Sequence, residues 1–177
     1  MINLRKLMTP KLESSFIDVD LKYMSSIQLK MLNFIKNNPR SIITAPRQIG
    51  KTLFLIMAAA VSNNNVCIIS LHNNINKFIF EMAKKCYSDN NIEFTFNTNA
   101  KIIMIDDKKI VFKSRYNDLS NYDNYDIYVD ECYMFPDLGK LPIKDADTCV
   151  MVGTPNSNNF NYNNIGLFAG LNINGDS

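Results

Sequence analysis

The stretch ITAPRQIGKT, Ile43 to Thr52, decides how this chain is read. It opens as a short apolar strand and closes in Gly50-Lys51-Thr52, the end of a turn able to wrap phosphate. In such a turn the backbone N–H groups and the positive end of the following helix face the anion, and Lys51 adds a point charge toward the outer phosphates. The Thr52 hydroxyl can ligate Mg²⁺, and Gly50 lets the backbone come close. Two features depart from the usual pattern. Ala45 stands where the first glycine is expected, and Pro46, Arg47, Gln48 and Ile49 fill the middle where small residues are common.

Three residues match a pattern by chance often enough that context has to carry the reading. TLFLIMAAAV, Thr52 to Val61, is apolar on all sides, which marks a buried helix rather than a surface one. Upstream, IQLKMLNFIK has apolar side chains at helical intervals beginning near Ser25, and Asn37-Asn38-Pro39 stops it. VCIISL reads as a second buried strand. INKFIFEMAKKCY places Ile75, Ile79, Met82 and Cys86 on one apolar helical face. KIIMIDDKKIVFK reads as two strands joined by a polar turn, and IYVDE and CVMVGTP as two further short strands. Strands alternating with helices predict an α/β fold with a mostly parallel sheet flanked by helices, whose ligands sit at the carboxyl ends of strands.

Those ends carry the remaining candidates. Asp130 and Glu131 close IYVDE about eighty residues past Lys51. Asp130 can hold Mg²⁺ directly or through a water, while Glu131 can orient or deprotonate an attacking water. The same two acids would also make an ordinary polar strand end. A phosphate turn on another strand of the same sheet favours the functional reading. Thr154, at the end of VMVGTPN, can sense a γ-phosphate through a hydrogen bond and pass its loss onward. Gly153-Thr154-Pro155 also fits a plain turn.

The totals bound the answer. A chain of 177 residues, 46% apolar and 20% charged, suits one globular domain with no internal boundary. A net charge of +2 argues for no nucleic-acid partner by itself. Cys67, Cys86, Cys132 and Cys149 are scattered without a Cys-x-x-Cys pair, so neither a zinc site nor a disulfide framework is suggested, and a reducing intracellular setting fits. With His72 the only histidine, chemistry built on two is excluded. The N-terminus MINLRKLMTPKLESS has no uninterrupted apolar segment of signal-peptide length and no apolar run long enough for a membrane span appears, so a soluble protein is expected.

Together these segments resemble the ATPase domain of the large terminase subunit, the DNA-packaging motor of tailed phages and related large DNA viruses. Four segments in the family's order carry the likeness, over roughly Ser25 to Tyr162: IQLKML with Gln28, the Arg47 to Thr52 turn, IYVDECYMFP, and GTPNSNNFNY. The resemblance implies a RecA-like (ASCE) P-loop NTPase that binds ATP and Mg²⁺. It implies Gln28 at the adenine, although Ser25-x-x-Gln28 also fits a capping box. It places Arg47 as a finger supplied from the same chain, worth about 10³ to 10⁵ in rate; simple positive charge for nucleotide binding is the alternative. Thr154 belongs to its coupling motif. The partners it implies are double-stranded DNA, the capsid portal, the small terminase subunit and a homo-oligomeric ring on the portal. The setting is the infected host cell during virion assembly, with no membrane.

Departures from the family pattern limit what carries over. Residues 1–177 are expected to form a single ATPase domain cut short after the coupling motif, with no nuclease domain and no nuclease activity. SRYNDLSNYDNYD, before the acidic pair, is acidic and lacks the arginine-glycine pair often found there, which weakens the case for DNA gripping by that segment. Two rival readings stand beside this one. One is the first part of a superfamily-two helicase, since DECY fits its Asp-Glu box. The other is a nucleotide-binding assembly adaptor that does not hydrolyse. Retention of both Lys51 and Glu131 favours turnover.

Overall fold

A computed structural model describes residues 24–155 and 166–173. The part of the coupling motif from Asn156 to Tyr162 and the first residues of the chain lie outside the described residues. Helix α1 spans Ser26–Asn37, strand β1 Arg40–Thr44, helix α2 Lys51–Val61, strand β2 Val66–Ser70 and helix α3 Asn73–Asp89. Strands β3 (Thr95–Asn97), β4 (Ile102–Ile105), β5 (Lys108–Ser114), β6 (Asp126–Val129), β7 (Cys149–Gly153) and β8 (Ala169–Asn172) complete the set. Short 3₁₀ turns at Cys132–Met134 and Leu138–Lys140 follow β6.

All eight strands join one sheet in the order β3-β4-β5-β2-β6-β7-β1-β8. Pairing is parallel from β5 across to β8, and antiparallel only where β3 and β4 extend the sheet beyond β5. The central strands β2 and β7 are buried at every position, as expected of parallel strands covered on both faces. One core lies between the sheet and the three helices and includes Ile43, Ile68, Phe112, Tyr128 and Val152. The other lies on the opposite face, where Leu119, Phe135, Leu138, Leu141 and Ile143 cover Ile42, Ile69, Val129 and Met151. The mostly parallel α/β sheet is as the sequence predicts, with a refinement: the described helices all serve one face, and irregular chain with 3₁₀ turns covers the other.

Two strands escape the sequence reading. β3 is exposed at every position and β8 alternates between half-buried and exposed, so neither carries the apolar run that marks a central strand. The buried face of α3 also differs from expectation. It runs through Asn76, Ile79, Phe80, Ala83, Cys86 and Tyr87, leaving Ile75 at the edge with 40% exposure. The aromatic rings of Phe80 and Phe112 meet edge-on at 5.4 Å, which turns the helix toward β5.

Helix α2 is held at its far end by a lysine. Buried Lys108, the first residue of β5, donates to the carbonyls of Ala59, Ala60 and Ser62 at 2.7, 2.6 and 2.6 Å. Carbonyls at a helix C-terminus lack intrahelical partners and carry partial negative charge, so an ammonium there satisfies both needs. Burial nonetheless pulls the Lys108 pKa down to about 8. Lys108→Met should destabilise the protein by about 1–3 kcal/mol, the cost of leaving buried carbonyls unpaired. Urea unfolding of the two proteins measures it.

Candidate functional site

The strand order brings the ends of β1, β7 and β6 side by side, and each end delivers one part of the site. After β1 the chain turns through Ala45 to Gly50, with Gln48 at φ 65° and Gly50 at φ 80°. These two left-handed residues swing the chain from strand into α2, and the first helical bond runs from the Phe54 N–H to the Gly50 carbonyl at 2.8 Å. No acidic residue sits in the first turn of α2, so its amide end is unopposed positive potential.

Lys51 is only 5% exposed, yet its ammonium is well supplied. It donates to the Pro46 carbonyl at 2.9 Å, the Ala45 carbonyl at 3.4 Å and the Thr154 hydroxyl at 2.8 Å, and lies 3.6 Å from Glu131 Oε1. The other Glu131 oxygen accepts the Thr154 N–H at 3.2 Å. Lysine, glutamate and threonine thus form one closed circuit across three strand ends. The Glu131 side chain is 41% exposed, so solvent reaches the carboxylate while the ammonium beside it is shielded.

Asp130 faces the helix side of the sheet. Its Oδ2 accepts the Thr52 hydroxyl at 2.9 Å. Its Oδ1 is buried and has no hydrogen-bond partner. A buried carboxylate oxygen without a partner is costly, and burial is the main reason the Asp130 pKa is pushed up to about 6; the Thr52 bond and Lys51 pull it down, and Glu131 adds to the rise. A hydroxyl and a carboxylate with one open oxygen are hard donors of the kind Mg²⁺ takes, one or two from protein with phosphates and water completing the shell. Among the described residues no group of three or more His, Cys, Asp or Glu is placed to hold a metal.

The remaining candidates fall in two places. Arg47 and Gln48 stand exposed on the crown of the turn, with Pro46 and Ile49 half-buried on its flanks and Ala45 buried at its base. Gln28 is buried and fully engaged. Its Oε1 accepts the Ser25 N–H at 2.9 Å while Ser25 Oγ accepts the Gln28 N–H at 3.2 Å, so the capping box is formed. Its Nε2 donates to the Gly50 carbonyl at 3.1 Å, tying α1 to the turn. A Cβ at Gly50 would lie 2.6 Å from that nitrogen, a second reason beside its φ for glycine there. Gln28 also walls an apolar cavity of about 490 Å³ with Met24, Leu53, Met57 and Met82, next to the turn.

Sequence reasoning passed over Tyr133. Its hydroxyl pairs with Thr44 Oγ1 at 2.5 Å, and its ring lies against Gly153, 2.5 Å from where a Cβ would be. The aromatic residue after the acidic pair and the glycine before Thr154 were visible, but nothing in the sequence says they touch.

The topology and this edge define a RecA-like P-loop fold of the ASCE type. Among solved structures, the fold is similar to the large terminase of bacteriophage HK97, with a TM-score of 0.58 at 14% identity over 74% of this chain and 33% of that one. It is also similar to a mutant ATPase domain of the large terminase from Thermus phage P74-26, with a TM-score of 0.52 at 15% identity over 77% of this chain and 67% of that one. The chain therefore spans about a third of the HK97 protein. No family model and no curated protein matches in sequence. The likeness to terminase ATPase domains is thus one of fold.

The Asp130 geometry generates a test that needs no ligand. Its folded-state pKa of about 6 lies above the usual 3.8, so the stability that its protonated form lends is complete below about pH 4 and is lost as pH climbs through about 6. Asp130→Asn, neutral throughout, should exceed the wild type in stability at pH 8 by on the order of 2 kcal/mol. The gap should close near pH 4. Urea midpoints across a pH series read both effects.

Proposed function

We propose that this chain is the ATPase of a viral DNA-packaging motor of the large-terminase kind. One observation carries the reading: Lys51, Thr52, Asp130, Glu131 and Thr154 meet at a single sheet edge, joined by hydrogen bonds and an ion pair, on a terminase-like ATPase fold.

In this reading the triphosphate lies along the Ala45–Thr52 turn against the amide end of α2, and Lys51 leaves Glu131 and Thr154 to take the outer phosphate oxygens. The adenine lies toward the apolar cavity walled by Gln28 and Leu53. Thr52 and Asp130 would hold Mg²⁺, which would supply neutralisation of phosphate charge. Freed from Lys51, Glu131 accepts a proton from a water as its oxygen bonds to the γ-phosphorus; the bond to the β,γ-bridging oxygen breaks, giving ADP and phosphate. Arg47, exposed and unencumbered by helix packing, turns toward the γ-phosphate to stabilise the charge that spreads over it. Thr154 reads the change through its bonds to Lys51 and Glu131 and passes it to the chain after β7. The work is translocation of double-stranded DNA into a capsid, by a ring of such subunits seated on a portal and served by a small terminase subunit.

The isolated protein should hydrolyse ATP slowly and only with Mg²⁺. Glu131→Gln should lower turnover by roughly 10²–10⁴ while nucleotide binding persists, because general-base assistance is lost and the phosphate contacts are not. Phosphate-release kinetics beside a fluorescent-nucleotide titration separate the two; normal turnover in Glu131→Gln would remove that residue from the mechanism. Strand separation stimulated by nucleic acid would instead indicate a helicase, and binding with no hydrolysis an adaptor.

Arg47→Lys should behave like Arg47→Ala in turnover, since a point charge lacks the planar fork of the guanidinium. A loss of about 10³-fold or more in both is expected of a finger. Recovery in the lysine variant would leave Arg47 as binding charge only.

A further inference from the structure

Glu131 sits where the backbone disfavours it. At φ 50° and ψ 48° it is a non-glycine residue in the left-handed region, a conformation that persists only when its surroundings impose it. The geometry around it shows what imposes it. Up to Asp130 the chain follows the strand, with Val129 on the face away from the helices and Asp130 toward Thr52. The left-handed step at Glu131 then drops Cys132 and Tyr133 onto the face opposite the helices. Cys132 is buried there beside Gly153, and the Tyr133 ring spreads across Gly153 itself. Beyond the ring, the hydroxyl reaches Thr44, the last residue of β1 and the register partner of Gly153.

We propose that Tyr133 is the positioning residue for Glu131: by spanning the ends of β7 and β1 it fixes the bend that points the carboxylate at Lys51 and the Thr154 amide. The proposal rests on the ATPase reading above and adds a residue to it. Tyr133 acts through the bend at Glu131, which its contacts with Gly153 and Thr44 hold in place. It also explains Gly153. No left-handed backbone calls for glycine there; the ring, 2.5 Å from a would-be Cβ, is the main obstacle to a side chain, with Cys132 Sγ at 3.2 Å beside it. The consequence is a mechanical link. Thr44 precedes the phosphate turn, Gly153 precedes Thr154, and Tyr133 follows Glu131 by two residues, so one ring ties together the roots of all three working segments.

The test is a set of variants, Tyr133→Phe, Thr44→Val, Tyr133→Ala, Gly153→Ala and the pairs among them, measured for nucleotide Kd, for kcat and for thermal midpoint. Tyr133→Ala should lower kcat by about 10- to 100-fold, the usual penalty for an ångström-scale misplacement of a catalytic group, with Kd within about threefold of wild type since the phosphate contacts are intact. Tyr133→Phe keeps the ring and should restore most of that loss. Tyr133→Phe and Thr44→Val should each cost a few-fold, and together no more than either alone, because both remove the same bond. Gly153→Ala should lower the midpoint and kcat in the wild type and lower both far less in the Tyr133→Ala background, where only the Cys132 sulfur still crowds the new methyl.

Tyr133→Ala with wild-type kcat overturns the proposal. So does an equal Gly153→Ala penalty with and without the ring. Should Tyr133→Ala not fold, the Phe and Val pair still decides: additive losses, or none, overturn it. Nucleotide binding without hydrolysis by the wild type overturns the ATPase reading and the positioning role with it. Wild-type hydrolysis that is indifferent to Tyr133 overturns the positioning role alone.

Discussion

The buried ammonium of Lys51 is the constraint around which this edge of the sheet is arranged. A lysine head group withdrawn from water is tolerated only when its three protons find acceptors, and here they come from the turn's own carbonyls, from Thr154 and from the Glu131 carboxylate. The acceptors come from three different strand ends. The charge can therefore stay where it is only if β1, β7 and β6 are neighbours in that order, which the parallel sheet provides. A phosphate ligand offers the same ammonium stronger acceptors, so the interaction that organises the edge is also the one a nucleotide would exchange.

The two acids that follow β6 are adjacent in sequence and separated in role by the backbone between them. Asp130, just past β6, keeps its backbone N–H on the Ile69 carbonyl and is carried under α2, into a dry setting that lifts its pKa and leaves one oxygen open. Glu131 takes the left-handed bend and stays partly in water. In the proposed mechanism the shielded carboxylate would take the cation and the wetter one the attacking water. A single φ change produces both environments from one dipeptide.

Much of this was legible beforehand because it depends on local pattern. The all-apolar run after Thr52 could only be a buried helix, and the apolar strands ending in Asp130-Glu131 and Gly153-Thr154 could only present those residues at a sheet edge. β3 and β8 were not legible: one is wholly exposed and the other half so, and their pairing is owed to neighbours rather than to their own side chains. For the same reason the side chain of Gln28 showed its capping role, a contact three residues away, but not its bond to Gly50, twenty-two residues on. Tyr133 and Gly153 belong to the same class. A glycine that admits a ring from the 3₁₀ turn after β6 looks in sequence like any turn glycine.

Helix α2 is fastened at both ends, by Gln28 through the Gly50 carbonyl at one and by Lys108 at the other, with residues Phe54 to Val61 all packed inside. A rod so pinned has almost no compliance of its own. Any strain arriving at its phosphate end is handed on to what that end touches, the acidic dipeptide and Thr154, so the helix works as an anvil against which those side chains are displaced.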